Sequence, residues 1–473
     1  MERFSVTTPI YYVNDVPHVG HLYSTLIADV LARYWRKKLG NDQVWFSTGT
    51  DENSQKTVEA AKKSGKEIQA YTDELAAIWQ RTFEQLGISF NDFIRTTEPR
   101  HKEAVEFFLL KMEQSGDIYK GHYEGWYCVG HEAFMKESDL VDGKCPEHNR
   151  TAEWLKEENY FFKLSKYEKD LLHWFEKNPD WIVPQSRYNE VTQFVKQGLE
   201  DISITRQSQK WGIPLPNDPS HVIYVWIDAL INYLSTVGYP DERYRQWWPS
   251  VHVIGKDITK FHCIIWPAML MSVGIEPPKQ VVVNGFFTIN GQKISKSLGN
   301  AIDPLELAKK YGNDALRYFL FREIPFGSDG DFSEEKLKER YTADLANGLG
   351  NLVSRVTNMV ERYAEGIYKK QKVHIDDAVM AGVNTNLENY KFDAALALIW
   401  SMVTEANKLI DDKTPWTMAK ENKQSELKPL LNELASRVLD ITSVLEPFMP
   451  GTAEKIIAAF SQPVKKAEPL FPR

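Results

Sequence analysis

Residues 6–21 read Val6-Thr7-Thr8-Pro9-Ile10-Tyr11-Tyr12-Val13-Asn14-Asp15-Val16-Pro17-His18-Val19-Gly20-His21, and the fold turns on how they are read. Phe4 to Tyr12 is β-branched and aromatic, the composition of a buried strand. Pro17 forces a turn. From Val19 the apolar residues take helical spacing, with Leu22, Leu26 and Val30 at i, i+4 and i+8 and Ile27 and Leu31 beside them. Gly40 ends that helix after Arg33, Arg36, Lys37 and Lys38, cations suited to a negative helix end. His18 and His21 therefore stand at a strand-to-helix turn, three apart on one face of the first turn, where the helix dipole attracts anions. Gly20 between them allows close approach to the backbone. Two imidazoles beside free backbone N–H groups suit a phosphate; the ordinary alternative is a pair of capping or solvated histidines.

A second stretch supports the phosphate reading. Gly291-Gln292-Lys293-Ile294-Ser295-Lys296-Ser297-Leu298-Gly299-Asn300 packs two lysines and two serines between glycines. Lysine is a compact, strongly hydrated charge suited to phosphate, and a glycine-flanked loop can close over a nucleotide. Together the two stretches resemble the paired motifs of the class I aminoacyl-tRNA synthetases. Over nearly its whole length the chain resembles the methionyl-tRNA synthetase family. Ile294 stands where that family usually has methionine, a conservative change because the lysines and serines make the contacts.

At 473 residues, two to four domains are expected. No run approaches the roughly 20 apolar residues of a membrane span, and the first 25 residues lack a signal-peptide layout. Only three cysteines, Cys128, Cys145 and Cys263, are present, too few for a disulfide framework and in keeping with a reducing cytoplasm. The net charge of −8 means that a nucleic acid would have to be met by local basic patches.

In chain order, residues 1–113 alternate strand and helix in βαβ fashion, so ligands are expected beyond the carboxyl ends of a parallel sheet. The strand from Gln43 to Gly49 runs into Asp51, which alone reads as an N-cap. The resemblance implies instead that Asp51 pairs with the amino group of the bound amino acid. Residues 114–218 interrupt the sheet. They carry Cys128-x2-His131, thirteen residues, then Cys145-x2-His148, a spacing that can close a tetrahedral structural zinc site. The family more often has cysteine at the position of His131, and a knuckle that has lost its metal is the alternative. Residues 219–292 resume the sheet, with one strand expected over Val222–Ala229 followed by a helix through Tyr233, another strand over Val251–Ile258 and a last over Val281–Ile289 that leads into the lysine loop.

An unbranched thioether is soft and polarizable and favours aromatic surroundings. Ile10, Tyr12, Trp226, Tyr233, Ile258 and His262 match the family's methionine pocket, with Trp226 expected at a strand end; ordinary core packing is the alternative for each aromatic. Leu230 stands where some members have proline. Residues 293–335 form the loop and a connecting segment, and 336–473 read as an all-α bundle with helices near 336–364, 376–391, 392–412, 425–446 and 450–461. Asn351 and Arg355 share a helix face, and Pro415 precedes Trp416, a base-stacking platform in one reading and a core tryptophan in the other. By resemblance these three read the anticodon.

The resemblance thus implies a Rossmann-type catalytic domain with a zinc-knuckle-like insertion, then a helical anticodon-binding domain. The implied reaction is ATP-dependent activation of L-methionine and its transfer to tRNA(Met), with Mg²⁺ accompanying ATP and one structural Zn²⁺. His18, Gly20 and His21 would hold the nucleotide together with Lys293, Ser295, Lys296 and Ser297. A cytoplasmic monomer is expected, since the chain stops just past the bundle without the appended domain of some relatives. A cysteinyl or leucyl enzyme, a non-catalytic tRNA-binding relative and a small nucleotidyltransferase are the alternatives. The aromatic pocket, the intact motifs and the helical bundle respectively count against them.

Overall fold

A computed structural model of the chain describes residues 2–128, 133–135, 137–146, 150–207, 209–289, 291–294, 300–371 and 377–472. It divides into two compact units, Met1–Asn284 and Gly285–Arg473.

The first unit is built on six strands: β1 (Phe4–Tyr12), β2 (Val44–Asp51), β3 (Asp92–Arg95), β4 (Ile182–Val183), β5 (Val251–Gly255) and β6 (Gln280–Asn284). They pair in the order β3-β2-β1-β5-β6-β4, and every pairing is parallel. Val251–Gly255 is buried throughout, as expected of a parallel strand covered on both faces by helices. Helix α1 (Val19–Leu39) packs its Leu22, Leu26, Ile27, Val30 and Leu31 into the core. Gly40, at φ 100°, closes it by donating its N–H to Arg36 O at 2.8 Å. Helices α2 (Ile68–Gln85) and α3 (Pro99–Gln114) follow the neighbouring strands.

The insertion is a long antiparallel hairpin, Ile118–Cys128 against Glu153–Phe162, followed by helices Glu168–Lys177 and Gln185–Lys196. It also returns one piece to the main sheet: Ile182–Val183 pairs with β6 as the edge strand β4. Two residues are too few for a periodic signal, which is why the sequence showed only an interruption.

Two expected strands are corrected. The apolar run 222–229 is a strand only to Ile223, within a small antiparallel sheet; helix α4 (Val225–Ser235) begins two residues later. An apolar run of this length fits a buried helix as well as a strand, and every residue of α4 except Trp226 is buried. Trp226 is therefore in a helical first turn, not at a strand end. The run 281–289 likewise splits: β6 stops at Asn284 and Phe287–Ile289 joins a different, three-stranded sheet. At Gly285 between them, a Cβ would lie 2.1 Å from Ser328 O.

In the second unit Phe287–Ile289 pairs with Gln292–Lys293 and with Gly330–Asp331. Helical structure then runs from α5 (Glu334–Arg340) through a π-helical stretch, Tyr341–Gly350, into α6 (Asn351–Ala364). After it come α7 (Asp377–Glu388), α8 (Phe392–Lys413), α9 (Pro415–Lys420), α10 (Gln424–Leu445) and α11 (Pro450–Ala459), the bundle that periodicity foretold. The buried Arg317 secures it, donating from Nε to Phe448 O at 2.7 Å. Among the described residues no helix is long and apolar enough to cross a membrane.

Candidate active site

The strand-to-helix turn has a specific geometry. His18 is the N-cap of α1, and its Nδ1 accepts the N–H of Gly20 at 3.1 Å. His21, at the third helical position, accepts the N–H of His18 on its own Nδ1 at 3.3 Å. This is a capping box made with imidazoles in place of the usual Ser and Glu. The capping reading therefore holds. An Nδ1 that accepts from an amide carries no proton, so each neutral ring keeps its N–H on Nε2. The rings stack at 3.7 Å between centroids with an interplanar angle of 25°, presenting two matched donors at the positive end of a helix. A Cβ on Gly20 would approach His18 Cε1 to 3.0 Å, so this glycine makes room first for the capping ring.

Behind them Tyr11 stacks on Trp79 at 4.9 Å, and its hydroxyl lies 2.8 Å from Thr25 Oγ1. Burial pushes the Tyr11 phenol up to about 12, so it remains a neutral hydrogen-bonding wall. The register of β1 on β2 shifts between Thr7 and Ile10, around Pro9. Proline has no N–H to give a ladder, and the resulting bulge re-aims the residues that follow it. Past the bulge Tyr12 pairs with Asp51, so aromatic ring and buried carboxylate lie side by side at the carboxyl ends of β1 and β2. Asp51 Oδ1 accepts the N–H of Asn53 at 3.3 Å.

The expected aromatic residues assemble into one cluster. Tyr12 meets Trp226 edge to face at 6.3 Å, and Trp226 stacks on Phe261 at 3.9 Å with its plane 9° away. The floor is buried: Tyr233 Oη is 2.7 Å from His262 Nε2, and His262 Nδ1 is 2.9 Å from Ile258 O. The Ile258 carbonyl only accepts, so His262 carries its proton on Nδ1 and receives the Tyr233 hydroxyl hydrogen on Nε2. His262 lies in a π-helical turn, Phe261–Ile265, a departure from α geometry often found at functional sites. Beneath Tyr233, His252 stacks at 4.0 Å and is itself held by Thr7 Oγ1 at 2.8 Å and Trp266 Nε1 at 3.2 Å. Phe261, His252 and Asp228 were not singled out from the sequence. Asp228 left a trace there, as the one carboxylate in the apolar run 222–231.

Burial lowers His262 to about 4 and also holds His252 well below the ordinary histidine value, so both rings are neutral. This carries a stability consequence. Unfolded, His262 takes up its proton near pH 6.5; folded, it resists until about 4. The neutral ring's contribution is therefore fully present above pH 6.5 and is lost as pH falls toward 4, on the order of 3 kcal/mol over that window. The melting temperature of the native chain minus that of His262→Gln should narrow on going from pH 7.5 to 5. A constant gap would show that His262 charges in the folded state.

In the second unit, Lys293 ends a strand and Ile294 is buried. The Lys293 side chain and all of Ser295, Lys296 and Ser297 lie outside the described residues, as do His131 and His148. Cys128 and Cys145 are both buried and outside any disulfide, each at the end of a strand. On the helical bundle, Arg355 and Trp416 come together across α6 and α9, the guanidinium 5.9 Å from the indole centroid. Arg355 Nη2 is also 2.5 Å from Asp411 Oδ1. Trp416 is 39% exposed, which removes the core-packing alternative, and Asn351 is exposed one turn before Arg355.

A histidine-capped helix start and an aromatic cluster in one unit with a parallel six-stranded sheet fit a class I tRNA synthetase, and the family described as tRNA synthetases class I (M) matches residues 4–357. The chain is 46% identical to the methionine–tRNA ligase of Thermotoga maritima over 97% of its own length and 75% of the relative's. It is equally identical, at 46%, to that of Caldanaerobacter subterraneus, over 96% of this chain and 73% of the relative. It matches the structure of Mycobacterium tuberculosis methionyl-tRNA synthetase in complex with methionyl-adenylate with a TM-score of 0.93 at 40% identity, covering 100% of both chains. The chain belongs to the methionine–tRNA ligase family.

Proposed function

We propose that the chain activates L-methionine with ATP, releasing pyrophosphate, and passes the methionyl group to the 3′ end of tRNA(Met). The observation that carries this is the stacked His18–His21 pair, with both tautomers set by backbone amides, in the same unit as a neutral aromatic pocket. In the first step a carboxylate oxygen of methionine attacks the α-phosphorus, and the bond to the β-phosphate oxygen breaks. Negative charge gathers on the α-phosphate oxygens, where donors fixed beforehand lower the barrier most. His18 and His21 supply those donors through Nε2–H. Asp51 receives the substrate ammonium group, and Ile10, Tyr12, Trp226, Tyr233, Ile258 and His262 enclose the thioether. No protein nucleophile or base is required. In the second step a ribose hydroxyl of tRNA attacks the adenylate carbonyl and AMP leaves.

Lys293 and Lys296, with Ser295 and Ser297, are assigned to the outer phosphates on their motif, and Gly20 to the nucleotide. Mg²⁺ arrives with ATP and neutralises the departing pyrophosphate. Asn351, Arg355 and Trp416 are assigned to the anticodon, supported by the exposed Arg355–Trp416 pair on the bundle. ATP–[³²P]pyrophosphate exchange, run one amino acid at a time, tests the reading as a whole. Exchange with methionine alone is expected; exchange with another amino acid would discard the pocket, and none at all would discard the activity.

Cys128, His131, Cys145 and His148 would hold one structural Zn²⁺. Two buried cysteines outside any disulfide, each three positions before a histidine, are the donors that such a site takes. Purified chain should contain about one zinc, and stripping it with a chelator should expose the hairpin 118–162 to protease. Metal-free chain with the hairpin already protected would remove the assignment. Three cysteines outside any disulfide also favour a reducing, cytoplasmic setting.

A further inference from the structure

Beside the pocket, one buried carboxylate joins two segments that the reaction uses. Asp228 sits in α4, two residues after Trp226, and is 0% exposed. Its Oδ2 accepts from Asn53 Nδ2 at 3.0 Å. Asn53, also buried, gives its backbone N–H to Asp51 Oδ1 at 3.3 Å and takes Gln209 Nε2 on its carbonyl at 3.1 Å. On the other side, Asp228 Oδ1 faces Nε2 of the buried His101 at 3.7 Å. His101 Nδ1 in turn lies 2.9 Å from Ser235 Oγ, at the far end of the same helix.

A carboxylate in a buried helix is costly, and a buried polar network is worth that cost where it specifies one arrangement. Here the two parts held together are the end of β2, which carries Asp51, and the helix carrying Trp226 and Tyr233. The strand end is held on its other sides by the β1 ladder, by Thr96 Oγ1 on the Glu52 N–H at 2.9 Å and by Trp211 Nε1 on Glu52 O at 2.8 Å; the Asn53 side-chain amide ties it to α4, while the Asn53 backbone N–H reaches Asp51. We propose that Asp228 is a positioning residue which, through Asn53, holds the Asp51 carboxylate in register with the pocket helix to receive the amino group of methionine. This rests on the role given to Asp51 above.

The test separates amino-group recognition from fold. Two competitive inhibitors of exchange are compared: methioninol, which keeps the amine, and 4-(methylsulfanyl)butanoate, which lacks it. Asp228→Ala should weaken methioninol and raise the methionine KM on the order of tenfold or more, leaving the butanoate and the ATP KM within about twofold. Asp228→Asn retains an acceptor for Asn53 and should restore most of the loss. Should Asp228→Ala fold poorly, Asn53→Ala cuts the same bond from the other end and is expected to show the same selectivity. Equal weakening of both inhibitors, or of neither, in a folded variant overturns the clamp. Asp51→Asn is the control: without selective loss of methioninol there, it is the role of Asp51 that falls.

Discussion

His21→Ala is expected to lower the rate constant of methionine-dependent pyrophosphate exchange by on the order of 10²- to 10³-fold, with the methionine KM within about twofold. Loss of one preorganised donor to developing charge typically costs about 3–4 kcal/mol in the transition state. The same substitution removes the Nδ1 that caps the His18 N–H. A lost cap costs only about 1 kcal/mol of stability, visible as a small fall in melting temperature. The two roles can be made to move in opposite directions. Glu at the third helical position is the usual partner in a capping box and suits the helix dipole, so His21→Glu should melt at or above the native temperature. Its carboxylate would face the nucleotide phosphates, so exchange should be slower than in His21→Ala. If His21→Glu recovers both stability and rate, the imidazole is only a cap and the phosphate assignment fails.

Trp416→Ala is expected to raise the tRNA KM in aminoacylation roughly five- to a hundredfold, the equivalent of about 1–3 kcal/mol of base stacking. Exchange without tRNA should stay near normal. The indole is 39% exposed, and surface substitutions typically shift stability by less than about 0.5 kcal/mol, so the melting temperature should barely move. Arg355 lies near the indole and is tethered to Asp411, so on the proposed anticodon reading the stacking face is held before RNA binds. Asp411→Ala should therefore weaken aminoacylation less than Trp416→Ala, because it loosens the guanidinium without removing the stacking face. Collapse of exchange in Trp416→Ala would mean that the residue supports the fold, whereas unchanged aminoacylation would mean that no base stacks there.

What the sequence determined by itself was whatever near neighbours encode. The spacing of Leu22, Leu26 and Val30, the Gly40 stop and the strand chemistry of Phe4–Tyr12 each depend on residues a few positions apart, so β1, α1 and the five later helices were legible. His18 and His21 were legible as a pair for the same reason. The tertiary structure decided what depends on distant partners. An apolar run buried on all sides satisfies strand and helix alike, and only its neighbours made Val225–Ser235 a helix with Trp226 in its first turn. The two-residue edge strand Ile182–Val183 exists because β6 offers it a ladder. The tautomers of His18, His21 and His262 follow from which atoms face each nitrogen. The bond between Asn53 and Asp228 spans 175 residues, beyond any periodicity. Local sequence sets backbone preference over a turn or two, whereas the chemistry of a buried polar atom is set by whatever the fold brings within 3 Å of it.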